Sequence, residues 1–138
     1  MKALLLFLTL IMAGCTKVEL DPSTLNDNPF DRQYTGGSVF SFTGHQFYTV
    51  ISGSEEVQRM RIFVNIDRSR FNSDGAYRVR YRVQNFFGYT YLQHTELSSG
   101  TFELIVNEPI TGETKCWELA LGNGNEFPNV FELCYTIP

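Results

Sequence analysis

The chain reads as an all-β, antiparallel sandwich of seven or eight short strands. Three observations carry this. From Tyr34 onward apolar residues recur at every second position, clusters of turn formers interrupt them at short intervals, and no segment shows a convincing helical period. The same spacing also suits a barrel; the expectation here is a sandwich. Twenty aromatic residues, mostly Phe and Tyr, supply the bulk that a two-layer core needs.

The strand candidates, in order, are 38–42, 46–51, 60–66, 77–83, 89–93, 101–106, 115–121 and 130–136. In 60–66, Met60, Ile62, Val64 and Ile66 alternate with polar or outward residues, and in 77–83 Tyr77, Val79, Tyr81 and Val83 alternate with arginines. Turn residues separate the segments: Thr43-Gly44, Ser52-Gly53-Ser54, Asn72-Ser73-Asp74-Gly75, Ser98-Ser99-Gly100 and Thr111-Gly112. No internal repeat is visible.

The last two segments form a hairpin on their own pattern. Trp117, Leu119 and Leu121 make one apolar row and Phe131, Leu133 and Tyr135 the other, with the turn-dense stretch 122–129 between them. Folding about Asn125 sets Cys116 opposite Cys134 on the polar face, beside Glu118 and Glu132. Directly opposed residues lie close enough for a disulfide. A bridge closing a loop of this length stabilises the fold by roughly 3 kcal/mol in the chain-entropy model. The competing reading is two reduced structural cysteines; no metal site is expected, since no third or fourth ligand lies nearby.

Charge is distributed unevenly. The net charge is −4, yet seven of the eight arginines fall between Arg59 and Arg82, while residues 96–138 hold seven glutamates and one lysine. Alternation points Arg59, Arg61, Arg78, Arg80 and Arg82 away from the core. If their two strands are hairpin neighbours, five guanidinium groups share one sheet face and form a docking surface for an anionic partner. The bland alternative is a solvated face balanced by Glu103, Glu118 and Glu132, each pair worth little. Nucleic acid is not expected, given the acidic total and the exported address developed below.

Phe86-Phe87-Gly88-Tyr89-Thr90-Tyr91 is a second candidate surface, with Phe63 and Phe71 as neighbours to be expected. Two adjacent Phe rings on an extended chain cannot both face one core. Either one ring is exposed, giving Phe86, Phe87 and Tyr89 as ligand-binding candidates for a glycan or protein, or the chain turns and both rings plug the end of the sandwich.

Catalytic signals are thin, and a non-enzyme without cofactor is expected. His45 and His94 carry no motif, and alternation sends the adjacent carboxylates Glu55 and Glu56 to opposite sides. No nucleophile elbow, phosphate loop or metal-ligand cluster is present. Asp67, Asn72 and Asp74 could offer oxygens to Ca²⁺ but miss the EF-hand spacing.

The N-terminus supplies an address. Lys2 gives a positive start, the run Leu4 to Met12 is apolar apart from Thr9, and Ala13-Gly14 precede Cys15. That is the layout of a secretory signal peptide, too short for the roughly 20 residues of a membrane span. A cysteine directly after the small pair resembles a bacterial lipoprotein signal, with Met12 where that family usually has Leu. The resemblance implies cleavage after residue 14, acylation of Cys15 and anchoring in membrane lipid; cleavage without a lipid is the alternative. It leaves 124 residues, one domain in size. Residues 15–33 are polar and turn-prone and read as a tether able to reach on the order of 60 Å, with the sandwich domain at 34–138. With Cys15 acylated, an oxidising compartment leaves Cys116 and Cys134 as the disulfide pair.

The run Asp27-Asn28-Pro29-Phe30-Asp31 after that cysteine is similar to the start of many Bacteroidetes-type outer-membrane lipoproteins, where it leads into an immunoglobulin-like or fibronectin-like sandwich. What this resemblance implies is a place at the outer membrane, on the periplasmic or cell-surface side. The lipoprotein signal, the tether, the one-sided arginines and the thin catalytic signals together lead to the expectation of an accessory subunit docked on an outer-membrane protein; a carbohydrate-binding or adhesin-type surface module is the alternative. Tyr77-x-Val79-x-Tyr81-x-Val83-x-Asn85-x-x-Gly88 is also similar to the sixth, tyrosine-bearing strand of fibronectin type III domains, whose Tyr hydroxyl is pinned to upstream backbone. The early tryptophan of that family is missing, and too few residues precede Tyr77 for five strands. The architecture expected is therefore an immunoglobulin-like sandwich, without membership of either family.

Overall fold

Alternating segments of the sequence become seven strands among the described residues: β1 (Phe40–Ser52), β2 (Glu55–Ile66), β3 (Arg78–Val83), β4 (Thr90–Leu92), β5 (Thr101–Val106), β6 (Thr114–Gly122) and β7 (Phe131–Thr136). The structure, a computed structural model, describes residues 27–72 and 75–138. The signal segment, Cys15 and most of the expected tether lie outside the described residues.

The strands make two antiparallel sheets, β1-β2-β5 and β4-β3-β6-β7, packed as an open sandwich of the immunoglobulin-like kind. Met60, Ile62, Val64 and Ile66 of β2 and Leu104 of β5 face Val79 of β3 and Trp117, Leu119 and Leu121 of β6. Each fully buried aliphatic chain of this kind contributes roughly 1.5–3 kcal/mol. The only tryptophan of the chain, Trp117, is 1% exposed at the centre.

Several expectations change. Thr43-Gly44 is not a turn: the register slips there by a bulge, so the first two strand candidates merge into one strand of 13 residues. With those two merged, the segment 77–83, fourth among the candidates, is the third strand. It lies in the opposite sheet from β2, so the five arginines do not share a face. Finally, Phe30 packs edge-on against Phe71 at 5.3 Å, and Asn129 Nδ2 donates to the carbonyls of Pro29 and Asp31 at 2.8 and 2.6 Å. Residues 28–33, assigned to the tether from their polarity, are therefore part of the folded domain. Asn28 and Asp31 side chains accept from the backbone two residues on and fold the run into consecutive turns.

The β6–β7 hairpin keeps the expected register. Cys116 pairs with Cys134, Trp117 with Leu133 and Glu118 with Glu132. The two sulfurs are bonded, with a Cα–Cα distance of 4.0 Å.

Strand directions give the sandwich two poles. One holds residues 27–33 and the β2–β3, β4–β5 and β6–β7 connections; the other holds the β1–β2 turn, the β3–β4 and β5–β6 loops and the C-terminus. The first is called the N-terminal pole and the second the distal pole.

Candidate functional site: an arginine ladder and the distal pole

On sheet β1-β2-β5, Arg59 and Arg61 point outward. Arg61 lies 4.7 Å over the Tyr48 ring and 3.4 Å from Glu103 on β5. These two arginines form a small, separate patch.

On the opposite sheet, β3 presents Arg78, Arg80 and Arg82 between β4 and β6. Opposite Arg80 and Arg78 on β6 stand Ala120 and Gly122, which leave the surface there without bulk. Phe127 of the β6–β7 loop folds back into that space. A Cβ on Gly122 would collide with the Glu126 carbonyl and the Phe127 ring, so glycine permits the return. The result is a ladder of rings and guanidinium groups. Arg82 lies 4.6 Å from Tyr89, Arg80 lies 4.5 Å from Tyr89 and 4.7 Å from Phe127, and Arg78 lies 5.5 Å from Tyr91. Tyr91 meets Phe127 edge-on at 5.8 Å. Contacts of this type are worth about 0.5–2 kcal/mol each, depending on desolvation.

The three arginines are not equivalent. Arg82 bonds Glu118 through Nε at 2.7 Å and Nη2 at 2.6 Å, while Arg78 donates to the Gly124 carbonyl and Asn125 Oδ1, each at 3.2 Å. Arg80 has no carboxylate among the described residues and is held by rings. Of the expected counter-charges, Glu118 and Glu103 each take one arginine, and Glu132 instead accepts from Gln84.

At the distal pole the chain turns after β3 through Asn85, which adopts a positive φ of 64°, a conformation Asn tolerates better than most residues. The turn does not bury the two rings that follow. Phe86 is 69% and Phe87 fully exposed, so neither plugs the sandwich. The rings sought beside them are elsewhere: Phe63 faces outward from β2, and Phe71 lies at the N-terminal pole against Phe30 and Tyr77. Phe86 instead borders a groove of about 410 Å³ with Val83, Ile105, Ile110 and Trp117, rimmed by the Lys115–Glu113 pair. β4 pairs only with Val79, Arg80 and Tyr81, so Val83 continues the inward row of β3 past its neighbour and stays open. Tyr89, expected to act with the two Phe rings, is instead committed to Arg80 and Arg82.

The groups that could do chemistry are engaged otherwise. His45 Nδ1 meets Tyr135 Oη at 2.6 Å, His94 packs on the Tyr77 ring at 5.1 Å, and neither has a carboxylate partner among the described residues. Asp67 caps a 3-10 turn, accepting from the Ser69 N–H and hydroxyl and from Arg70 Nε; the Ser69 hydroxyl bond leads in holding its carboxyl below the ordinary value. Asp74, its possible companion on Ca²⁺, lies outside the described residues. Cys116, Glu132 and Cys134 cluster within 4.8 Å, but the sulfurs are bonded to each other.

Sequence reasoning missed Phe127, Ile105 and Ile110. A Phe inside a Gly/Asn-rich loop was the available signal for the first; Ile105 sat in the outward row of its strand. No helix among the described residues is long and apolar enough to cross a membrane. Compared with known proteins, the chain matches no family model, no curated protein and no solved structure.

Proposed function

We propose that this protein is a non-catalytic, lipid-anchored interaction module of the outer membrane, attached through an acylated Cys15 and docking a membrane-protein partner with its distal pole. The observation that carries the reading is the placement of exposed apolar side chains. Val83, Phe86, Phe87, Ile105 and Ile110 are all exposed at the pole opposite residues 27–33, where the chain arrives from the tether. A rigid sandwich so attached holds an apolar end away from the lipid. Clustered exposed apolar groups of this kind mark interaction sites.

A glycan-binding module is the weaker reading. Of the three rings named for sugar stacking only Phe86 and Phe87 keep exposed faces, since Tyr89 is covered by two guanidinium groups. The groove beside Phe86 joins four aliphatic and two aromatic side chains to four polar ones, a mixture that suits the apolar anchor and polar rim of a protein contact.

Purification of the tagged full chain from mildly solubilised outer membranes, followed by mass spectrometry, tests this. The expected result is a stoichiometric membrane-protein partner that is lost with Phe86→Ala/Phe87→Ala and kept with Arg59→Ala/Arg61→Ala. A chain that purifies alone, or a partner indifferent to the two Phe rings, overturns it.

A further inference from the structure

We propose that the free edge of β1, from Gln46 to Ser52, pairs with the same segment of a second copy of this chain and joins two sandwiches into one continuous sheet. This goes beyond the docking role of the distal pole and uses a different part of the molecule.

The β1–β2 hairpin is longer than the sandwich that supports it. β2 pairs with β5 only from Met60 to Asn65, so Glu55–Arg59 have β1 as their sole strand neighbour. No residue from Ser41 to Arg59 is buried. β7 covers the near part of β1, through Tyr135 against Phe42 at 5.1 Å and against His45. From Tyr48 outward the hairpin stands as a two-stranded arm, and an isolated two-stranded hairpin is marginal in water.

Its outer edge is chemically ready for another strand. The turn at Gly53-Ser54 has two residues, with positive φ at Gly53 alone, and joins Ser52 to Glu55. Residues flanking such a loop exchange both backbone hydrogen bonds, and the pattern then alternates along the ladder. Ser52, Val50 and Tyr48 therefore bond to β2, while Ile51, Thr49 and Phe47 turn their N–H and C=O groups outward. Among the described residues no backbone group meets them there.

Charge argues for a second copy as the occupant. Proteins protect edges with charged residues, Pro, short strands or coverings. β4 has three residues, and β5 and β7 each carry a Glu in the outward row, whereas β1 has no Asp, Glu, Lys, Arg or Pro over its 13 residues. In a two-fold antiparallel pair every residue near the axis meets its own kind or a close neighbour, so a charge would oppose a like charge. A charge-free segment escapes that repulsion. With the axis at Thr49, Phe47 of one copy faces Ile51 of the other and Tyr48 faces Val50. These are aromatic and β-branched pairs, which favour cross-strand packing. The outward groups of all three edge residues are then satisfied.

Thr49→Cys in the full chain, oxidised mildly in membranes, tests the pairing beside Gln58→Cys, which sits opposite Thr49 on β2, one strand further from the proposed two-fold axis. The first should give a covalent species of twice the chain mass and the second only monomer. Native mass spectrometry of the detergent-solubilised chain should read dimer for the wild type and monomer for Thr49→Lys, with Trp117 emission unchanged as evidence of folding. Monomeric Thr49→Cys, an adduct with a protein of another mass, or equal masses for wild type and Thr49→Lys overturns the proposal. Phe86→Ala/Phe87→Ala should remain dimeric, which separates this result from failure of the docking role.

Discussion

Tyr77 Oη donates to the Leu97 carbonyl at 3.1 Å, both side chains being buried, and thereby ties the start of β3 to the 3-10 turn ahead of β5 in the other sheet. Burial pushes the phenol above its ordinary 10.0, and burial does the same for Tyr81. A raised acid is favoured folded in its neutral form, so this stability is complete below the ordinary value and declines as pH rises through the folded one. Tyr77→Phe should cost about 1–2 kcal/mol at neutral pH by leaving the carbonyl without its donor. It should also remove part of the loss in stability above pH ~10, the ordinary tyrosine value. Urea unfolding at neutral and alkaline pH reads both; an unchanged alkaline slope refutes the assignment.

The Cys116–Cys134 bridge joins residues 18 apart in a hairpin that also carries the Trp117–Leu133 pair. Reduction should therefore weaken the fold and not abolish it. The expected loss is roughly 3 kcal/mol from loop entropy. Denaturant midpoints with and without reductant, read by the single tryptophan, check this. A midpoint indifferent to reductant contradicts it.

Strand rows and the final hairpin were legible because alternation and turn residues act locally. Cys116 could be placed against Cys134 from the apolar rows alone. The pairing of β2 was not legible, since alternation says which way Arg59 and Arg78 point and nothing about which sheet each joins. The same limit hid the arginine ladder, which depends on Phe127 crossing over Gly122 from a loop. Phe30 was misplaced for a different reason: a polar, Asx-rich run looks like linker until one knows that Phe71 and Asn129 wait beside it.

Arg82 and Glu118 form the tightest ion pair on the ladder side, with both side chains more than half covered. Across the β6–β7 ladder Glu118 directly faces Glu132, an unfavourable like-charge pair. Arg82→Ala should accordingly destabilise by about 1–2 kcal/mol, near the range for hydrogen bonds to charged groups after allowance for partial exposure. Adding Glu118→Gln should recover much of the loss, because it removes the stranded charge. A double variant no more stable than Arg82→Ala refutes that account.

Phe87 and Trp117 border the same surface pocket and lie at opposite extremes of burial, one fully exposed and the other 1% exposed. Phe87→Ala should leave stability within about 0.5 kcal/mol, as for surface positions generally. Trp117→Ala should cost about 3–5 kcal/mol through the cavity it opens. Thermal unfolding of both variants, followed by circular dichroism, makes the comparison. The outcome that matters is the Phe87 value. A large loss there would mean that the ring has a structural partner and that the distal pole is a packed end; no loss leaves an exposed ring with no role in holding this chain together, as a docking residue requires.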